Sequence, residues 1–203
     1  MCSISLLLVI SPCLLSAAAA AQRHILIGQG GCDIDDPDCT LPDATSLIAA
    51  TMDDDEGTLI ITSVYEGIDA ATWILPYGGS ASDDFLVTET ASNQVYSMGF
   101  DRSDFTFHQN WNVTVGPGPV HLATIFNDTL GVSANYDGGS FSVFSMTNPS
   151  ESVTYEHSGS GPNPDRQEAP HVHSVYHRWD HSREVHILRH QIDSLLVVKI
   201  AVM

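Results

Sequence analysis

Positive charge is what this chain of 203 residues has least of. One lysine and six arginines face 25 carboxylates, for a formal net charge of −18. Between residues 23 and 175 there are three arginines, no lysine and 22 carboxylates. A surface of that sign repels nucleic acid phosphates and anionic lipid, so neither is a partner. Long apolar runs are scarce too. The longest, Leu6 to Ala21, is 16 residues and contains Pro12, short of the roughly 20 that a spanning helix requires. The terminal SLLVVKIAVM is shorter still and reads as an aggregation-prone strand. Stable membrane insertion is therefore not expected. Helical amphipathic periodicity is missing before residue 175, which turns the reading toward strands.

What is present at the amino terminus is an apolar stretch closing on small residues, MCSISLLLVISPCLLSAAAAA. That is the layout of a secretory signal peptide over residues 1–21, with cleavage near Ala21. A membrane anchor is the competing reading. Export gives the cysteines a context. Cys2 and Cys13 leave with the leader, and Cys32 and Cys39, in CDIDDPDC, form a local disulfide. Two cysteines without histidine neighbours do not complete a tetrahedral zinc site. The carboxylates between them leave calcium open as a lesser alternative to a solvated loop. Asn112-Val-Thr and Asn127-Asp-Thr are acceptor sites for N-glycosylation, whereas Asn148-Pro-Ser is barred by its proline. The expectation is a secreted glycoprotein.

The mature part reads as all-β. TLIITSV (58–64) is β-branched and bounded by glycines. DFLVTET (84–90) and QVYSMGF (94–100) are separated by a three-residue turn, and LGVSANY (130–136) and SFSVFSM (140–146) flank Asp137-Gly138-Gly139. Asp-Gly between alternating runs marks a hairpin, because its turn requires positive φ. Val132, Ala134 and Tyr136 alternate with smaller or polar residues, which predicts a strand with one buried face. The two hairpins align with an offset of 46 residues, and TLIITSVYEGIDAATWIL reads as a divergent earlier copy. A several-stranded unit of that period suits a propeller blade, and a β-sandwich with similar hairpins is the alternative.

One stretch breaks the acidic pattern. GSGPNPDRQEAPHVHSV, residues 159–175, brings Arg166, Glu168, His171 and His173 together between prolines. Preceded by Ala134-Asn-Tyr-Asp-Gly-Gly-Ser140, this loop resembles the lactonase-type seven-bladed β-propellers, a group that includes 6-phosphogluconolactonases and carboxy-cis,cis-muconate cyclases. The matching positions are Gly159, Gly161, Pro162, Arg166, Gln167, Pro170, His171 and His173. HILIG (24–28), ATWIL (71–75) and GPGPVHLA (116–123) resemble family segments more loosely. The resemblance runs from about 24 to 175 and implies a partial propeller, about three of seven blades, over residues 22–175. Beyond Val175 the family pattern stops. Residues 176–203 hold four of the ten histidines and a net charge of +1, and read as a non-family tail, with a gene-model artefact as one candidate origin.

The chemistry implied is opening or closing of a small-molecule sugar-acid or muconate-type lactone, with no cofactor and no metal. A histidine can activate water at the carbonyl, and an arginine can receive the oxyanion or grip a carboxylate. The resemblance makes His171, His173, Arg166 and Glu168 the candidate catalytic residues, with Arg166 and Asn135 as substrate contacts. The family's Gly-Pro-Arg-His and Asn-Glu-Leu segments are not in this sequence. Arg166 paired with Glu168 or Asp165 is also a plausible loop brace, and one of the two histidines suits a backbone carbonyl. The alternatives for the whole chain are a secreted, non-catalytic binding module derived from a propeller, and a metal binder built on His171, His173, His177 and His181. Oligomeric state stays open.

Overall fold

A computed structural model describes residues 22–28, 47–160, 168–177, 184–189 and 195–199. The leader, Cys32, Cys39 and Arg166 lie outside these residues. The described chain is all-β, and its fourteen strands form four antiparallel sheets. The first holds β1 (Gln22–Gly28), β2 (Leu47–Asp53) and β3 (Thr58–Tyr65). The second holds β4 (Ala71–Pro76), β5 (Asp84–Glu89), β6 (Gln94–Asp101) and β7 (Thr106–Thr114). The third holds β8 (Pro119–Ile125), β9 (Leu130–Asn135), β10 (Ser140–Ser145) and β11 (Ser152–Glu156). The fourth holds β12 (Val172–His177), β13 (Glu184–Arg189) and β14 (Leu195–Lys199). Paired strands thus continue past Val175 into the histidine-rich tail.

Each sheet is a meander, and the sheets stack like blades. β8 packs on β4 and β5, β12 packs on β8 and β9, and β4 packs on β1. The first strands of the later sheets therefore gather at one edge, while β7 and β11, at the other edge, are largely exposed. This is radial β-propeller geometry. It also locates a gap. β1 meets β4 as β5 meets β8 and β9 meets β12, so β1 holds the second-strand position of its sheet. Among the described residues no strand lies inside it.

Radial stacking corrects one sequence expectation. β9 is buried on both faces, with every residue after Leu130 buried. Val132 and Ala134 join Val172 and Val175 of the fourth sheet in one core, while Gly131 is covered by the Phe144 ring. β5 does the same: Phe85 and Val87 pack toward the first sheet, and Leu86 joins Leu122 and Phe144 toward the third. A blade between two neighbours needs apolar residues on both sides, so alternation blurs into a continuous run.

The hairpins follow the predicted turns. Asn93 takes φ 60° between β5 and β6, and Gly139 takes φ 53° between β9 and β10, a left-handed conformation that glycine adopts without steric cost. At Gly139 a Cβ would also run into the Pro170 carbonyl oxygen. This glycine lets the Pro170-His171 segment lie directly on the β9–β10 turn.

Candidate active site

The inner strands carry a repeated irregularity. The ladder slips between Ala71 and Trp73, between Pro119 and His121, and between Val172 and Ser174. Each slip leaves one bulged residue near the start of an inner strand: Thr72, Val120 and His173. Bulges re-aim side chains and recur beside active sites. In the second and third blades the bulged residue is half-buried, whereas His173 is exposed. The fold therefore presents a histidine at the same radial level where its neighbours present Thr and Val.

His171 lies just before β12 and is held on three sides. Its Nδ1 lies 3.0 Å from the Tyr136 carbonyl oxygen and bonds to it as donor. Its Nε2 is 3.4 Å from Glu168 Oε1. Its ring stacks on Tyr136, with centroids 4.3 Å apart and planes 21° apart. His173 meets the same Tyr136 ring edge-on, at 6.0 Å and 83°. The exposed Glu168 carboxyl is held below the usual carboxylate range by its own backbone N–H and then by His171. Glu168, His171 and His173 thus come together around Tyr136, and Arg166 lies outside the described residues.

Asn135 sits elsewhere. It is fully buried, and its Nδ2 donates to Ser140 Oγ at 3.1 Å and Ser142 Oγ at 2.9 Å, while its Oδ1 accepts from Ser133 Oγ at 2.9 Å. Ser142 Oγ accepts the Gly116 N–H in turn. These bonds brace the end of the blade, and its amide is engaged within the third blade. Glu89 occupies the equivalent place in the second blade. It is 4% exposed and accepts from the Asp69 N–H at 2.8 Å, the Tyr96 hydroxyl at 2.9 Å and the Ser92 hydroxyl.

Three residues near the site escaped the sequence reading. Tyr136 was expected among core residues of an alternating strand. His121 lay inside GPGPVHLA, and Trp73 inside ATWIL, without a role. His121 sits on inner strand β8, 8% exposed. Its ring is 4.1 Å from Trp73 and 5.2 Å from Tyr176, and its Nδ1 accepts the Val175 N–H at 3.4 Å. Burial, and then the neighbouring His173, push its pKa down to about 4, so His121 is neutral at physiological pH. Among the described residues no group of three or more His, Cys, Asp or Glu side chains is placed to hold a metal ion. No helix among them is long and apolar enough to cross a membrane. Asn112, on β7, and Asn127, in the β8–β9 turn at φ 53°, the two residues expected to accept a glycan, are both exposed.

Stacked four-stranded meanders with bulged inner strands, and a histidine loop laid across the ends of two of them, define a partial β-propeller with a polar site at its hub. Residues 38–185 match the family model described as lactonase, 7-bladed β-propeller. The chain belongs to that family. No curated protein matches it. Among solved structures it is similar to a candidate 6-phosphogluconolactonase from Bacteroides fragilis, with a TM-score of 0.72 and 22% identity over 92% of this chain and 50% of that one. A periplasmic gluconolactonase from Pseudomonas aeruginosa superposes with a TM-score of 0.71 at 16% identity, covering 87% of this chain and 50% of that one. A second candidate 6-phosphogluconolactonase, from Bacteroides uniformis, gives 0.69 at 20% identity, with 88% and 50% covered. At these identities the likeness establishes the fold, and the chain spans about half the length of these structures.

Proposed function

We propose that this chain is part of a secreted lactonase that opens or closes the ring of a sugar-acid or muconate-type lactone. The observation that carries the reading is the exposed His173 at the bulge of an inner strand, beside the His171–Glu168 pair. In ring opening, His173 takes a proton from water as the oxygen attacks the lactone carbonyl carbon. The carbonyl oxygen becomes an oxyanion, and the ring C–O bond then breaks, with the proton returned to the departing alkoxide. His171 meets an acceptor at each nitrogen, so its part is electrostatic, next to the developing oxyanion. Arg166 is assigned to the oxyanion or to a substrate carboxylate. Export favours an unphosphorylated or dicarboxylic lactone over a phosphorylated one.

The alternative is a secreted, propeller-derived module that binds a lactone or carboxylate without turnover. The test is ring opening of D-glucono-1,5-lactone and of a muconolactone by the full chain, with His171→Ala and His173→Ala alongside. The catalytic reading expects loss of turnover in both variants. Saturable binding of either lactone by the wild-type chain, with no turnover, selects the binding module.

A further inference from the structure

We propose that Tyr136 is the positioning residue of the site: its ring fixes the imidazoles of His171 and His173 relative to one another. The inference rests on the lactonase reading and assigns a task to a residue that reading does not use.

The contacts carry it. Tyr136 is the residue that touches both imidazoles, one face-to-face and one edge-on. Its backbone is itself fixed, because its N–H donates to the Gly118 carbonyl at 2.7 Å and its carbonyl accepts from Gly139 N–H at 3.2 Å as well as from His171. Two χ angles then place the ring, which makes an aromatic residue a low-entropy platform. Misplacing a reacting group by about 1 Å costs on the order of a hundredfold in rate.

The repeat separates this task from ordinary blade packing. The residue equivalent to Tyr136 in the second blade is Thr90, at the same 46-residue offset. Thr90 Oγ1 donates to the Pro119 carbonyl at 3.0 Å, and Thr72 Oγ1 donates to the same oxygen at 3.1 Å. Two hydroxyls thus pin the inner strand of the following blade. In the third blade those positions hold Tyr136 and Val120, and the following inner strand meets an aromatic plate under a pair of histidines. At the equivalent position the second blade meets the third through two hydroxyls and no ring, so the tyrosine needs another explanation, and its contacts are with the two imidazoles.

The test uses Tyr136→Phe and Tyr136→Leu in the full chain. Both keep the backbone carbonyl and an apolar side chain, and Phe keeps the ring. Two readouts are taken: kcat and KM for D-glucono-1,5-lactone, and the imidazole nitrogen signals by NMR. Tyr136→Phe should remain within about twofold of wild type with unchanged histidine signals. Tyr136→Leu should lower kcat by about 10- to 100-fold, leave KM within about threefold, and shift the signals of both His171 and His173. Unchanged ring signals in Tyr136→Leu overturn the proposal, whatever the turnover. Equal loss in both variants with unmoved ring signals also overturns it, because the hydroxyl and not the plate would then matter. A wild-type chain that opens no lactone sinks the lactonase reading alone, since the ring spectra still decide whether Tyr136 positions the histidines.

Discussion

The second and third blades are the same meander built twice, and most of their differences stay within the blade while one falls beside the histidine loop. Both have a bulged inner strand, a buried second strand and a four-residue hairpin turn. Where the second blade has Thr72 and Trp73, the third has Val120 and His121. Glu89 is answered by Asn135, Tyr96 by Ser142, and Thr90 by Tyr136. The buried bracing at the end of each second strand keeps its geometry but changes its charge: a carboxylate with three donors in one blade, an amide among serine hydroxyls in the other. The half-buried exchange, Thr90 for Tyr136, coincides with the histidine loop. Repetition thus separates what a blade needs to stand from what the hub was given in addition.

Breaking the braces should produce the largest effect. Glu89→Ala strips the acceptor from three donors at a buried site and should cost about 3 kcal/mol, read from denaturant unfolding. Asn135→Ala should cost less, about 1–2 kcal/mol, because hydroxyls and neutral amides re-pair more readily. Equal and negligible losses at both positions would remove the bracing role from the comparison.

A milder contrast sets the first blade against its neighbours. β1 has the position of β5 and β9 but, among the described residues, no inner strand beside it. Its amides should exchange with deuterium at least about tenfold faster than those of β5, whose pairing is complete on both sides. Equal protection would mean that the first sheet is closed from within. Leu59, Ile60 and Ile61 of β3 are each more than half exposed. An outer strand this apolar is an aggregation hazard, and Ile60→Lys should raise the solubility of the chain.

The smallest effect is a pH dependence that only the third blade should show. His121 is neutral in the fold, with a pKa near 4 against about 6.5 when unfolded. Its contribution to stability is therefore complete above pH 6.5 and is lost as the pH falls toward 4, where the unfolded chain takes up the proton first. His121→Phe should flatten that slope of melting temperature between pH 6.5 and 4. Trp73, its counterpart, should give no such slope when replaced by Phe.

Much of the scaffold was legible from local signals. Asp137-Gly138-Gly139 announced the β9–β10 hairpin, and the 46-residue offset announced the repeat. β7 and β11 were not: Phe107 of β7 packs toward the first sheet while Trp111 and Val113 pack toward the third, across a bulge at Asn110, and β11 is a short exposed strand, SVTYE. The one-faced burial expected for β9 failed because a blade between two blades has two interior faces. In the site, His171, His173 and Glu168 stood out by residue type and spacing. Tyr136 and His121 did not, because their contacts bridge 35 and 54 residues of sequence and depend on how one blade meets the next.

The central claim is that the imidazole at the bulge of β12 does chemistry at the hub, and the most direct measurement is the rate of lactone opening by the full chain carrying His173→Ala. The account predicts a fall in kcat/KM of about 10²- to 10⁴-fold with the melting temperature unchanged. Wild-type turnover in that variant would contradict it.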